Sequence, residues 1–190
     1  MLVGVTGRGG VGKSSLCRFL LSRYSDFFDY IEVDKLVEER VLSSSLFLSH
    51  INAVYSDKLR GIDDIISCYF SDDYLSSCIH QEFLNFVSNE LMSELFLHEN
   101  KHLLVDWFLL HRLPCFSLFD IKIGLYLDLS SRLSRVSSER FDNELELKTF
   151  LCVDSCYPDF NSSSLDYVFN TSSSDYIDFL CNDLDILLSR

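Results

Sequence analysis

Residues Gly7 to Ser14 read GRGGVGKS, a spacing of glycines, a lysine and a hydroxyl that suits a chain built to hold polyphosphate. Glycine tolerates backbone angles that turn several N–H groups toward one point. Where such a turn opens a helix, the unpaired N–H groups and the helix dipole both favour an anion. The segment satisfies GxxxxGK[ST]. On that pattern Gly7, Arg8, Gly9, Gly10, Val11, Gly12, Lys13, Ser14 and Ser15 are the candidate nucleotide contacts. Lys13 reaches the β- and γ-phosphates, and the Ser14 hydroxyl ligates Mg²⁺. Five of the chain's seven glycines fall between Gly4 and Gly12, so a glycine-poor sequence concentrates its backbone freedom in one turn. The same glycines also fit GxGxxG through Gly7, Gly9 and Gly12, but that dinucleotide pattern leaves Lys13 and Ser14 without a purpose. The reading that explains every residue is a loop for ATP and Mg²⁺.

Phosphoryl transfer also needs a base near the acceptor, a carboxylate for the metal and cations for the developing charge. Asp34 follows a short apolar run and lies where open α/β sheets place their ligands. It is a candidate base, with helix capping as its structural alternative. Asp106 ends the apolar run beginning at His102, the position of a Mg²⁺-directed carboxylate or of a plain turn residue. Arg132, Arg135 and Arg140 stand out in a chain with a formal net charge of -13. They are candidates to close over phosphates, or else solvated helix residues.

The elements that must position these groups alternate in type. Leu2 to Thr6 reads as a buried strand and Lys13 onward as a helix with Leu16, Phe19, Leu20 and Tyr24 on one face. Further strands are expected at Tyr30 to Val33, in His102 to Leu110 with a loop entered at Asp106, at Ile121 to Leu127 and at Leu165 to Phe169. Residues 35 to 98 read as mostly helical, Ser130 to Ser138 starts another helix, and a terminal helix covers about Ser174 to Ser189. Strands alternating with helices predict an α/β fold with a five-stranded parallel sheet covered on both faces, in one domain of 190 residues.

The order of these segments resembles the dephospho-CoA kinase family, within the P-loop kinase superfamily. VGVTGRGGVGKSSL is similar to that family's first strand and P-loop. IEVDKLVEERV resembles the segment carrying its catalytic aspartate, with Glu32 and Asp34 in the acidic positions. LRGIDDIISCYFSD followed by CIHQEF resembles its helical acceptor region, DWFLLHRL its Pro-Leu-Leu loop, LSSRLSRVSSERFD its lid, and LDYVFNTSS its last strand and Asn-containing turn. The chain departs from the family at Phe108, Arg112 and Gln81, and the glutamine that usually follows the lid has no counterpart. The resemblance implies a P-loop NTPase fold with an acceptor-binding region near 42–98 and a lid near 130–150. It implies Asp34 as base for the ribose 3′-hydroxyl of dephospho-CoA, and Lys13, Arg135 and Arg140 at the phosphates. His80, Leu109 and Arg140 would contact the acceptor; His80 alone would read as a partly buried helix residue.

Bulk properties narrow the partners. The acidic balance argues against a nucleic-acid surface, which needs a basic footprint. No apolar run reaches the length of a membrane span, and MLVGVTG lacks a basic flank, so a cytoplasmic protein is expected. The seven cysteines include no CxxC pair; a metal shared by Cys152 and Cys156 would lack further ligands at matching spacing. Residues 59 to 83 offer aromatic and aliphatic surface with Arg60 as the clear cation, which suits an acceptor with a long apolar arm. Tyr69, Phe70 and Trp107 are candidates to line an adenine or pantetheine pocket. Two alternatives stay open: a nucleoside or nucleoside-monophosphate kinase, and a catalytically weak nucleotide-binding regulatory protein.

Overall fold

The computed structural model describes residues 1–55, 74–98, 101–137 and 160–189. Arg60, Tyr69, Phe70, Arg140, Cys152 and Cys156 lie outside these residues, as does the lid region beyond Ser137.

Five parallel strands form one sheet: β1 (Leu2–Thr6), β2 (Phe28–Glu32), β3 (His102–Asp106), β4 (Ile121–Tyr126) and β5 (Tyr167–Asn170), in the order β2-β3-β1-β4-β5. The described helices are α1 (Lys13–Arg23), α2 (Val33–Leu36) running into a π-helical turn (Val37–Leu42), α3 (Ser45–Tyr55), α4 (Tyr74–Leu97), α5 (Leu129–Ser137) and α6 (Asp175–Leu188). The expected α/β class and five-stranded parallel sheet are both present.

Side-chain alternation along the strands splits the core in two. Val3, Val5, Leu104, Ile121, Ile123 and Leu125 face α1 and α6, packing with Leu16, Cys17, Leu20, Leu180 and Leu184. Leu103 and Val105 point to the other face, among Val33, Leu36, Val41, Ile79, Leu84 and Leu91 from α2, its π-helical extension and α4. A strand buried on both faces must be apolar at successive positions, which is why LVGVT and HLLV carry no polar alternation.

β2 begins two residues earlier than expected and ends at Glu32, so α2 starts at Val33. β3 stops at Asp106, where the loop is expected, and apolar residues resume after it through Leu110. Trp107, Leu109 and Leu110 are buried by two 3₁₀ turns (Leu110–Arg112 and Pro114–Leu118) that fold the chain back under the sheet. Apolarity there serves packing, not strand pairing.

Candidate active site at the carboxyl edge of the sheet

β1 runs directly into the glycine turn, and Gly7, Gly10 and Gly12 all take positive φ (142°, 78° and 99°). Gly12 occupies the N-cap position of α1 with no side-chain cap bond, so the first N–H groups of that helix face the turn rather than a capping hydroxyl. Lys13 Nζ folds back to donate to Gly7 O (2.8 Å) and Arg8 O (3.2 Å). Arg132 donates to Gly9 O (3.3 Å), and Thr171 Oγ1 donates to Val11 O (2.8 Å). The C=O and following N–H of a planar trans peptide point in opposite directions. Holding these four carbonyls therefore turns the amides of Arg8, Gly9, Gly10 and Gly12 the other way, as an anion cradle requires.

The turn is sterically closed to a side chain at Gly7 and Gly10. A Cβ on Gly7 would sit 2.2 Å from Leu125 O, in a backbone region that L residues avoid. Gly7→Ala is expected to lower stability by at least about 2 kcal/mol, or about 5 °C in Tm, and to weaken ATP binding with it. Calorimetry with and without an ATP analogue checks this; an unchanged Tm would show that the turn has slack.

Two carboxylates lie at the carboxyl edge of the sheet, Asp106 at the end of β3 and Asp34 after β2. Asp106 is 2% exposed and accepts from Ser14 Oγ (3.1 Å). Burial pushes its carboxyl up, against the stabilising charge of Lys13 and hydrogen bonds from Tyr30 and Ser14. Asp106 and Ser14 thus form a pair of hard oxygen donors beside the phosphate loop. Such a set fits Mg²⁺, which takes one or two protein oxygens and fills its octahedron with phosphate and water. Among the described residues there is no cluster of three or more His, Cys, Asp or Glu side chains of the kind that cages a metal outright.

Asp34 lies on the opposite side of β3. The cap position of α2 falls on Glu32, whose side chain makes no cap bond and instead pairs with Lys35 Nζ (2.9 Å). Asp34 sits inside the helix, and its Oδ1 accepts from Trp107 Nε1 (2.9 Å). Capping is therefore not what places Asp34. Glu32 and Asp106 are neighbours in the β2–β3 register, so three carboxylates gather at the carboxyl ends of adjacent strands.

The structure distributes the remaining candidates unevenly. Arg132 and Arg135 project from α5 onto the loop. Arg132 is 3% exposed, and Arg135 donates to Thr171 O (2.6 Å) and Thr171 Oγ1 (3.3 Å). Asp128 sits at the head of this helix, accepting from Ser130 Oγ and from Ser131 N (2.9 Å), bonds that hold its carboxyl well below the usual range. His80 is half-buried on α4; burial, with the nearby Arg112 charge, pushes its imidazole down to about 4. It is neutral at neutral pH and acts only as an uncharged hydrogen-bonding group. Leu109 is 1% exposed and belongs to the core. Trp107 is likewise a core ring, so the expectation that it lines an adenine or pantetheine pocket is corrected.

Sequence reasoning missed Thr171, Tyr30 and the Trp107 indole N–H. All three act across long sequence separations, and no local pattern marks them. The Thr6 Oγ1–His111 Nδ1 contact (2.9 Å) beneath the loop belongs to the same class.

No protein-family model matches the chain, and no curated protein matches it. Solved structures do. TT1252 from Thermus thermophilus shares 19% identity at a TM-score of 0.66, covering all of this chain and 96% of that one. Deoxyadenosine kinase from M. mycoides shares 14% at 0.56, covering 97% and 99%. Shikimate kinase from Bacteroides thetaiotaomicron shares 15% at 0.50, covering 100% and 99%. This chain shares the fold of these three structures, two of which are kinases.

Proposed function

We propose that this chain transfers the γ-phosphoryl group of ATP to a hydroxyl acceptor, and that the acceptor is the ribose 3′-hydroxyl of dephospho-CoA. The observation that carries the transfer is the placement of Lys13 and Asp106–Ser14 at the glycine turn, with Asp34 following the neighbouring strand end at the carboxyl edge of the sheet. The order of the sequence segments carries the acceptor.

In this reading the amides of the glycine turn and Lys13 hold the ATP phosphates. Arg132 and Arg135 approach from α5 with charge for the transferring group. Asp106 and Ser14 hold Mg²⁺, which when bound supplies charge neutralisation on the phosphates. Asp34 takes the proton of the acceptor hydroxyl as its oxygen forms the new bond to phosphorus. The bond from phosphorus to the β–γ bridging oxygen breaks, and ADP leaves. His80, uncharged, offers the acceptor a hydrogen bond, and Arg140 adds a cation from the lid.

Among the described residues no helix is long and apolar enough to cross a membrane. We take the chain to be a single kinase domain working in the cytoplasm.

The test is a competition assay with radiolabelled ATP against dephospho-CoA, AMP, CMP, UMP, dTMP, deoxyadenosine and shikimate. The expected result is a kcat/KM for dephospho-CoA at least about tenfold above each of the others. Preference for a nucleoside or its monophosphate moves the chain to that class of kinases. ATP binding with transfer to no acceptor favours a regulatory nucleotide-binding protein.

A further inference from the structure

We propose that Trp107 is a positioning residue for phosphoryl transfer: its buried indole holds the Asp34 carboxylate in the orientation from which that group takes the acceptor's proton. The inference rests on the proposed role of Asp34 as base.

Asp34 needs such a support. It is exposed at the first turn of α2, just past the end of β2, and the backbone there leaves the rotamer of a short carboxylate free. Trp107 is fixed on every side. It is the chain's single tryptophan and is 1% exposed. Its backbone N–H donates to Val5 O (3.1 Å), which extends the β3–β1 pairing one residue past the strand. Its ring packs against Phe108 and Phe83, with centroids 5.4 and 6.3 Å away. From this frame Nε1–H donates to Asp34 Oδ1 at 2.9 Å. A buried indole N–H left without an acceptor is costly, and a bond to an ionised carboxylate is stronger than one between neutral groups. Ring and carboxylate therefore hold one another.

The alternation of β3 adds to the case. Leu104 faces α1 and Val105 faces α2 and α4, so the next two residues continue the pattern. Asp106 meets Ser14 on α1, and Trp107 meets Asp34 on α2. One dipeptide at the end of a central strand thus sets both carboxylates, one toward the phosphates and one toward the acceptor.

A double-mutant cycle separates positioning from packing. Trp107→Phe keeps an aromatic ring and removes the donor. In the wild-type background it is expected to lower kcat roughly 10- to 100-fold, with the acceptor KM changed less than about threefold. In the Asp34→Asn background the same change is expected to cost less than about twofold, because the group it positions has lost its function. Equal losses in both backgrounds mean that Trp107 only packs the core, and the inference fails. The wild-type arm tests the functional reading on its own. If dephospho-CoA is not phosphorylated but another acceptor in the panel is, the cycle is run on that acceptor; if none is, the kinase reading falls and the inference with it. Should Trp107→Phe not fold, the single indole N–H resonance of ¹⁵N-labelled protein decides. It is expected to move upfield in Asp34→Ala, and an unmoved resonance overturns the inference.

Discussion

Lys13→Ala is expected to abolish phosphoryl transfer, with kcat/KM falling by about 10³-fold or more and the fold intact. Lys13 Nζ bonds two carbonyls of the glycine turn (2.8 and 3.2 Å), and its charge is the main influence opposing the upward push of burial on Asp106. One amine therefore bears on two parts of the site, the phosphates and the carboxylate proposed for the metal. Its removal takes no residue from either apolar core. The comparison to make is steady-state transfer to dephospho-CoA beside a thermal melt. Transfer near the wild-type rate would place the phosphates somewhere other than this turn. A collapsed melt would make the loss uninformative, in which case Lys13→Met, which keeps the aliphatic stem, is the second variant.

Asp34→Asn carries the next largest expected effect, a loss of about 10²- to 10⁴-fold in kcat with ATP affinity little changed. Asparagine retains an oxygen able to accept from Trp107 Nε1, so the hydrogen bond at 2.9 Å has a replacement and Tm should hold. What the amide cannot do is take a proton from the acceptor. A pre-steady-state measurement distinguishes the outcomes, because it reads the transfer step apart from binding and release. A drop in Tm with kcat preserved would make Asp34 a structural partner of Trp107 and nothing more.

The parts legible in the sequence were those in which local backbone need writes itself into residue type. The glycine turn is one, since Gly7, Gly10 and Gly12 take angles that other residues avoid; LVGVT and its helical continuation are others. Asp106 marked the end of β3, but the packing after it was not legible, because apolar residues read the same whether they pair in a strand or pack in a 3₁₀ turn. Nor was the start of α2, where Glu32 stands at the cap without capping. The strand order could not be read either: nothing local in HLLVD says that it pairs with both β1 and β2. The site's supports are hidden for the same reason. Trp107 to Asp34 spans 73 residues and Thr171 to Val11 spans 160, and only the finished topology brings such pairs together. Arg132 illustrates the point: the sequence left it between a phosphate contact and a solvated helix residue, and only the fold buries it against Gly9.

The strand order also sets a timetable for the ribosome. β1 is made first, yet its partners on both sides are β3 and β4, with Leu2 opposite Leu103 and Val3 opposite Ile121. At about 5 to 20 residues per second, roughly 5 to 20 s of synthesis separate β1 from its first neighbour. Throughout that interval LVGVT is a short apolar strand with two open edges, the kind of segment that chaperones shield and that aggregates if they do not. The glycine turn hangs from the end of this strand. Its carbonyls are held by Arg132 and Thr171, so it takes its final shape only when nearly the whole polypeptide has emerged. On the proposed function, cellular ATP would find no cradle on the nascent chain and would stabilise only the completed fold.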